Sequence, residues 1–194
     1  MRIFLAVFPP PETQTLAFDA AESLQRAAER EGIPAGEVAW VRRENLHYTL
    51  SFLGELNEEG AARAEEAARE AAIGLAPFEV ALGAPGAFPN ARRARVLWLG
   101  LSAGADPLIE LAVRLERALR SRGFSRDERP FSPHLTVGRV RDPRHDLTGA
   151  LAGANSLASE AASRFTVRRV SVVASTLSPG GSRYEIRAEA ALGV

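Results

Sequence analysis

Apolar residues follow two rhythms along this chain of 194 residues. The opening stretch from Arg2 to Phe8 is an almost unbroken apolar run stopped by Pro9-Pro10-Pro11, the pattern of a buried strand. From Glu12 to Glu31 the rhythm changes. Leu16, Ala20 and Leu24 recur at four-residue spacing among charges, which predicts a helix that stops at Gly32 ahead of Pro34. Val38 to Val41 reads as a short extended piece. His47 to Leu53 then alternates like a strand ended by Gly54, and Asn57 is placed to cap an Ala/Glu-rich helix reaching about Ile73. Phe78 to Leu82 and Arg95 to Leu101 read as an antiparallel pair joined through Gly83-Ala84-Pro85-Gly86 and Asn90-Ala91-Arg92.

The second half repeats this vocabulary. Asp106-Pro107 marks the cap of a helix to about Arg122 with Leu108, Leu111, Leu115 and Leu119 on one stripe. A turn-rich arm from Ser125 to Pro133 leads into a strand from His134 to Val140. A weaker helix is expected over Leu147 to Ala158, then strands over Phe165 to Leu177 and Tyr184 to Ala190 around the turn Ser178-Pro179-Gly180-Gly181. The order of elements predicts an α+β protein. Its two lobes, each an antiparallel sheet with covering helices, would face one another across a central cleft.

Two of these strands begin alike. His47-Tyr48-Thr49-Leu50 and His134-Leu135-Thr136-Val137 are both His-x-Thr-apolar, in a chain with only three histidines and seven threonines. Alternation puts His47 and Thr49 on one face and Tyr48, Leu50 and Phe52 on the other, and it repeats the arrangement for His134 and Thr136. Two imidazoles across a cleft can serve as general acid and general base, and two hydroxyls can hold phosphate oxygens. That constellation suits cleavage of a phosphoester without a metal. The third histidine, His145, has no Thr partner and reads as surface.

With Trp40 and Glu44-Asn45-Leu46 before the first copy, Phe52-Leu53-Gly54 after it, and Phe131-x-Pro133 leading to a second copy that ends in Arg139, the chain resembles the two-histidine (2H) phosphoesterases. Among them it is most similar to the RNA 2′,3′-cyclic phosphodiesterases, also called 2′-5′ RNA ligases, from Arg2-Ile3-Phe4-Leu5-Ala6 to Gly181-x-x-Tyr184. The resemblance implies a pseudo-twofold α+β fold filling residues 1–194 as one bilobal domain. It also implies that His47 donates a proton and His134 accepts one, leaving a 2′-phosphate, and that Arg139 binds the phosphate or nucleotide. Strict alternation would turn Arg139 away from His134, so that role requires the strand to end or bulge near Gly138.

Composition changes the picture in three places. The absence of Cys removes disulfides and thiolate chemistry and suits the cytoplasm. The opening apolar run is too short for a membrane span, and nothing else suggests a membrane partner. The net charge of zero conceals a division: residues 1–90 carry −7 and residues 91–194 carry +7, every basic residue being Arg. A basic half with planar guanidinium groups fits an RNA partner as well as ordinary solvated surface, so Arg92, Arg93, Arg95 and Arg129 are candidates for backbone contacts. Phe4, Trp40, Phe52 and Tyr184 stand between base stacking and core. Two histidines without a carboxylate pair or His-x-x-x-His spacing make a poor metal site, no Gly-x-Ser-x-Gly elbow is present, and no cofactor is expected.

The expected substrate is therefore RNA or an oligonucleotide ending in a 2′,3′-cyclic phosphate, handled by a monomer. Two readings compete: a sister enzyme acting on another cyclic phosphate such as that of ADP-ribose, and a noncatalytic module that binds RNA or nucleotide.

Overall fold

A computed structural model describes residues 1–125, 130–154, 160–178 and 181–193. Its strands are β1 (Arg2–Val7), β2 (Val38–Trp40), β3 (Tyr48–Glu55), β4 (Phe78–Phe88), β5 (Val96–Ala103), β6 (Leu135–Val140), β7 (Arg164–Val167), β8 (Arg169–Ser178) and β9 (Gly181–Ala191). The longer helices are α1 (Pro11–Arg30), α2 (Glu58–Ala72) and α3 (Ala105–Arg120), followed by the short α4 (Thr148–Gly153) and α5 (Glu160–Ser163). None of the described helices is long and apolar enough to cross a membrane.

The described strands form one antiparallel sheet in the order β7-β4-β5-β6-β3-β1-β8-β9, with β2 also on β6. The two lobes thus share a sheet. They meet where β3 and β6 touch through a single residue pair, Tyr48 opposite Leu135. On either side lie four strands, β6-β5-β4-β7 and β3-β1-β8-β9. In each half a helix leaves the strand next to the His-x-Thr strand, α1 after β1 and α3 after β5. This correspondence is the pseudo-twofold relation expected of the fold. Tyr48 and Leu135 are fully buried in the main core, which takes in Leu24 of α1, Ala64 of α2 and Leu115 of α3. The helices therefore cover the face on which Tyr48 and Leu135 point. A smaller cluster of Phe4, Ala6 and Val173, flanked by Phe8 and Tyr184, lies apart from that core.

Three expectations needed correction. The stretch Gly83-Ala84-Pro85-Gly86 is not a turn but part of β4. Pairing skips from Leu82 opposite Leu101 to Pro85 opposite Leu99, an irregularity that accommodates a proline lacking an amide donor. The apolar run from Phe165 to Leu177 is two strands, broken at Arg168: β7 pairs with β4 and β8 pairs with β1 and β9. Because β7 and β8 lie toward opposite ends of the sheet and only one residue separates them, the sheet must curl strongly, and its uncovered face becomes concave. Asp106 and Pro107 lie in the first turn of α3, which starts one residue earlier, where proline's missing donor costs nothing. Asn57 does cap α2, accepting from the Gly60 amide at 2.9 Å. The end of the helix expected to reach Ala158, the Pro179-Gly180 turn and Arg129 lie outside the described residues.

Candidate active site

The antiparallel register through Tyr48 and Leu135 decides the geometry of the cleft. One residue to either side, it sets His47 level with Thr136 and Thr49 level with His134. Directly opposed residues point to the same side of a sheet, and neighbours along a strand point to opposite sides. With Tyr48 and Leu135 buried beneath the helices, all four polar side chains face the concave surface. The structure thus brings together the two halves of the pattern, 87 positions apart in the chain.

Each imidazole is anchored in the same way. His47 Nδ1 lies 2.7 Å from the carbonyl of Asn45, and His134 Nδ1 lies 2.7 Å from that of Ser132. A carbonyl can only accept, so both rings carry hydrogen on Nδ1 and leave Nε2 for the cleft. In the neutral tautomer His47 Nε2 accepts from the Thr49 hydroxyl at 2.9 Å. Asn45 also donates from Nδ2 to the Ser182 carbonyl at 2.9 Å, tying the loop before β3 to the start of β9. Aromatic rings hold both imidazoles in place. His47 stacks on Phe4 at 4.9 Å between centroids, with Phe8 at 5.2 Å and the edge of Tyr184 at 5.4 Å, while His134 meets Phe88 edge-on at 5.0 Å.

Matching bulges follow the two motifs. On β3, pairing with β1 slips between Ala6 opposite Thr49 and Leu5 opposite Ser51, so Phe52 comes to lie opposite Phe4. Phe52 is thereby turned to the concave face instead of joining Tyr48 in the core, and it is 64% exposed. On β6, pairing with β5 slips between Trp98 opposite Thr136 and Leu97 opposite Gly138, which puts Arg139 opposite Val96 on the face of Trp98 and Thr136. Arg139 therefore has the bulge that its proposed role requires, and its charge reaches both His47 and Tyr184. Phe52 and Arg139 stand at equivalent places, five residues after their histidines.

The other candidates separate. Phe4 lies buried beneath His47, Tyr184 is partly buried against it, and Trp40 packs on the main core across Gly138. His145 lies 3.8 Å from Glu37, with 30% of its side chain exposed. Sequence patterning did not single out Phe8, Phe88 and Trp98 as cleft residues, because only the long-range register places them there. Among the described residues no three His, Cys, Asp or Glu side chains converge as a metal site would require.

Electrostatics distinguish His47. Burial, opposed by the hydrogen bond to Asn45 and assisted by the charges of His134 and Arg139, lowers its pKa to about 4. The folded protein thus holds His47 neutral between about pH 4 and its ordinary 6.5, where the unfolded chain would bind a proton, so its contribution to stability declines as pH falls through that window. For catalysis the expected outcome is a bell-shaped dependence of kcat/KM on pH whose limbs belong to the coupled pair of imidazoles, with burial of His47 drawing the acid limb below the ordinary histidine range. An acid limb at 6.5 in a pH–rate profile would remove His47 from the titrating pair.

Comparison with known proteins supplies the family. A model of the 2′-5′ RNA ligase superfamily matches residues 9–177, most of the chain. The chain belongs to that superfamily. It is 38% identical to the RNA 2′,3′-cyclic phosphodiesterase of Methanothermobacter thermautotrophicus over 149 residues, covering 76% of this chain and 79% of that protein. The protein of the same description from Methanocaldococcus jannaschii is 30% identical over 96% of this chain and 98% of its own length. Among solved structures, a Thermus thermophilus protein superposes with a TM-score of 0.78 at 26% identity, covering 99% of this chain and 98% of that one. Escherichia coli LigT in complex with 3′-AMP superposes with a TM-score of 0.74 at 26% identity, covering 100% of this chain and 98% of that one. The fold is accordingly the α+β fold of this superfamily.

Proposed function

We propose that this chain hydrolyses the 2′,3′-cyclic phosphate end of RNA to a 2′-phosphomonoester, using His47 as proton donor and His134 as proton acceptor, without metal or cofactor. The observation that supports the reading is the Tyr48–Leu135 register, which is consistent with two imidazoles and two hydroxyls turned to one face of the sheet. Water gives its proton to His134 Nε2 as its oxygen attacks phosphorus. The bond from phosphorus to O3′ breaks, and O3′ takes the proton from His47 Nε2. Burial makes the His47 imidazolium scarce in the free enzyme but also a stronger acid, and an anionic phosphate beside it draws the proton in. Once Nε2 carries hydrogen, it no longer accepts from Thr49, whose hydroxyl is free to turn to a phosphate oxygen. Thr136 supplies the second hydroxyl, Arg139 the positive charge, and Phe52 and Tyr184 the apolar surface for the nucleoside. The activity belongs in the cytoplasm, where a chain without Cys needs no oxidising environment.

The test compares three substrates: a short RNA with a 2′,3′-cyclic phosphate end, a cyclic mononucleotide, and ADP-ribose cyclic phosphate. Preference for the RNA with full turnover in excess EDTA is the expected result. Loss of turnover on chelation with recovery on adding zinc would overturn the metal-free mechanism. Preference for the ADP-ribose compound would make this the sister enzyme, and silence on all three would make it a binding module.

A further inference from the structure

Both imidazoles bond a carbonyl two residues upstream, but the chain stiffens the two anchors by different means. In the second copy the residue between anchor and histidine is Pro133, whose ring fixes φ, and the exposed Ser132 side chain makes no hydrogen bond among the described residues. In the first copy that residue is Leu46, which has no such restraint, and side-chain bonds gather around the loop instead. Gln14 of α1 donates to the Leu46 carbonyl at 3.1 Å, Arg43 Nη1 lies 3.4 Å from the Thr15 hydroxyl, and Asn45 Nδ2 donates to the Ser182 carbonyl at 2.9 Å. The first two tie the loop to α1. Of the three, only the last starts on the anchoring residue itself, and it crosses to the hairpin of β8 and β9, 137 positions along the chain. Ser182 stands two residues before Tyr184, whose ring edge lies 5.4 Å from His47. Asn45 is thus held three ways: its amide donates to the Arg42 carbonyl at 2.9 Å, its carbonyl accepts from His47 Nδ1 at 2.7 Å, and its side chain donates to Ser182. A carbonyl can only accept, so the bond to Ser182 requires a donor that Asp lacks and that Gln would carry one methylene too far.

We infer that Asn45 is a positioning residue for His47: its side-chain bond to the Ser182 carbonyl fixes the backbone carbonyl that aims the imidazole at the departing oxygen. The inference rests on the proposed role of His47 as proton donor. A donor must stand within hydrogen-bond reach of O3′ as the bond from phosphorus breaks, and a misplacement of an ångström costs up to about 10²-fold. The ring can swing about its own side-chain bonds unless Nδ1 is held, and Nδ1 is held only as firmly as the Asn45 carbonyl. Phe4 and Phe8 limit the tilt of the ring but offer Nδ1 no acceptor. The same bond sets the start of β9, and with it Tyr184, against the other side of the imidazole. One amide therefore keeps the proton donor and the wall beside it in register, although they belong to strands far apart in the chain. His134 needs no counterpart, because proline already stiffens the step between its anchor and its ring. The two halves reach the same Nδ1 geometry by different routes, one covalent and one through a long-range hydrogen bond.

The experiment follows Asn45→Leu, which keeps the size of the side chain and deletes its donor, on two substrates. On RNA with a 2′,3′-cyclic phosphate end, kcat should fall by about 10–10²-fold with KM little changed. On a phosphodiester whose leaving group is nitrophenolate, which departs with little help from an acid, most of that loss should vanish. In a His47→Ala background Asn45→Leu should cost nothing further, because the two residues act through one group. Nitrogen NMR of the His47 ring gives a readout independent of turnover: the wild type should show a slowly exchanging hydrogen on Nδ1, and in Asn45→Leu that resonance should broaden as the ring loosens. Wild-type kcat, equal losses on both substrates, a full additional loss in His47→Ala, or an unchanged His47 resonance would each overturn the assignment. Asn45→Ala serves the same comparisons if Asn45→Leu does not fold. Absence of turnover by the wild type would instead defeat the hydrolase reading, and the NMR comparison would still decide whether Asn45 holds the ring.

Discussion

Replacing His134 with Ala is expected to lower turnover of a cyclic-phosphate RNA by about 10²–10⁴-fold, and His47→Ala by a similar factor, the range of a lost general acid or base. The two variants should part on a phosphodiester whose leaving group is nitrophenolate rather than ribose O3′. Nitrophenolate departs with little help from an acid, so His47→Ala should regain much of its rate. His134→Ala should not, because water must still surrender its proton. The reverse pattern would exchange the two roles, and equal losses on both substrates would remove acid–base assignment altogether. The comparison is informative because the anchoring of the rings is symmetrical. Each Nδ1 is spent on a carbonyl two residues upstream, so the roles must differ through surroundings and substrate rather than tautomer. Circular dichroism of His47→Ala matters as a control, since Phe4, Phe8 and Tyr184 pack directly on the ring it removes.

The second large effect concerns the hydroxyls. Thr49→Val and Thr136→Val keep side-chain shape and delete a donor. Each should slow the reaction by about 10²–10³-fold, the loss seen when one donor to a developing oxyanion is removed. The effect belongs in kcat more than in KM, because the charge on the nonbridging oxygens grows on the way to the transition state. Thr49→Val carries a further signature: its hydroxyl donates to His47 Nε2 in the free enzyme, a bond that favours the neutral ring. Its removal should move the acid limb of kcat/KM upward relative to the wild type. Wild-type rates in both variants would make the threonines ordinary strand residues.

The elements set by local pattern were legible in the sequence. His-x-Thr at the head of two strands is a statement about alternation, and the buried Tyr48 and Leu135 show that alternation holds for the first three residues of each motif. Beyond that the local rule fails. The bulge after Thr49 moves Phe52 from the predicted core face to the cleft, and it depends on which residues of β1 lie opposite, information absent from residues 47–53 themselves. The same kind of irregularity was predictable for Arg139 only because the proposed role demanded it. Phe165 to Leu177 read as one strand because its apolar character continues, whereas the break at Arg168 comes from two strands seeking different partners. Trp98 read as an ordinary residue of the strand from Arg95 to Leu101 and Phe88 fell in the connection before it, because nothing near them in sequence says that Gly86 lies across the sheet from the indole.

The matched bulges bear on how such a cleft changes over time. Phe52 and Arg139 hold equivalent positions in the two halves, yet one is apolar and the other cationic, and both point away from the main core. A side chain there can be exchanged with little disturbance to the packing that holds the halves together, since that packing rests on Tyr48, Leu135 and their neighbours on the other face. On the proposed reading, the chemistry rests on the four residues at the crossing point and preference on the two positions just beyond it. On that reading, substitutions at position 52 would change preference with the acid–base pair left as it is, whereas a change at 139 would also alter a charge that reaches His47.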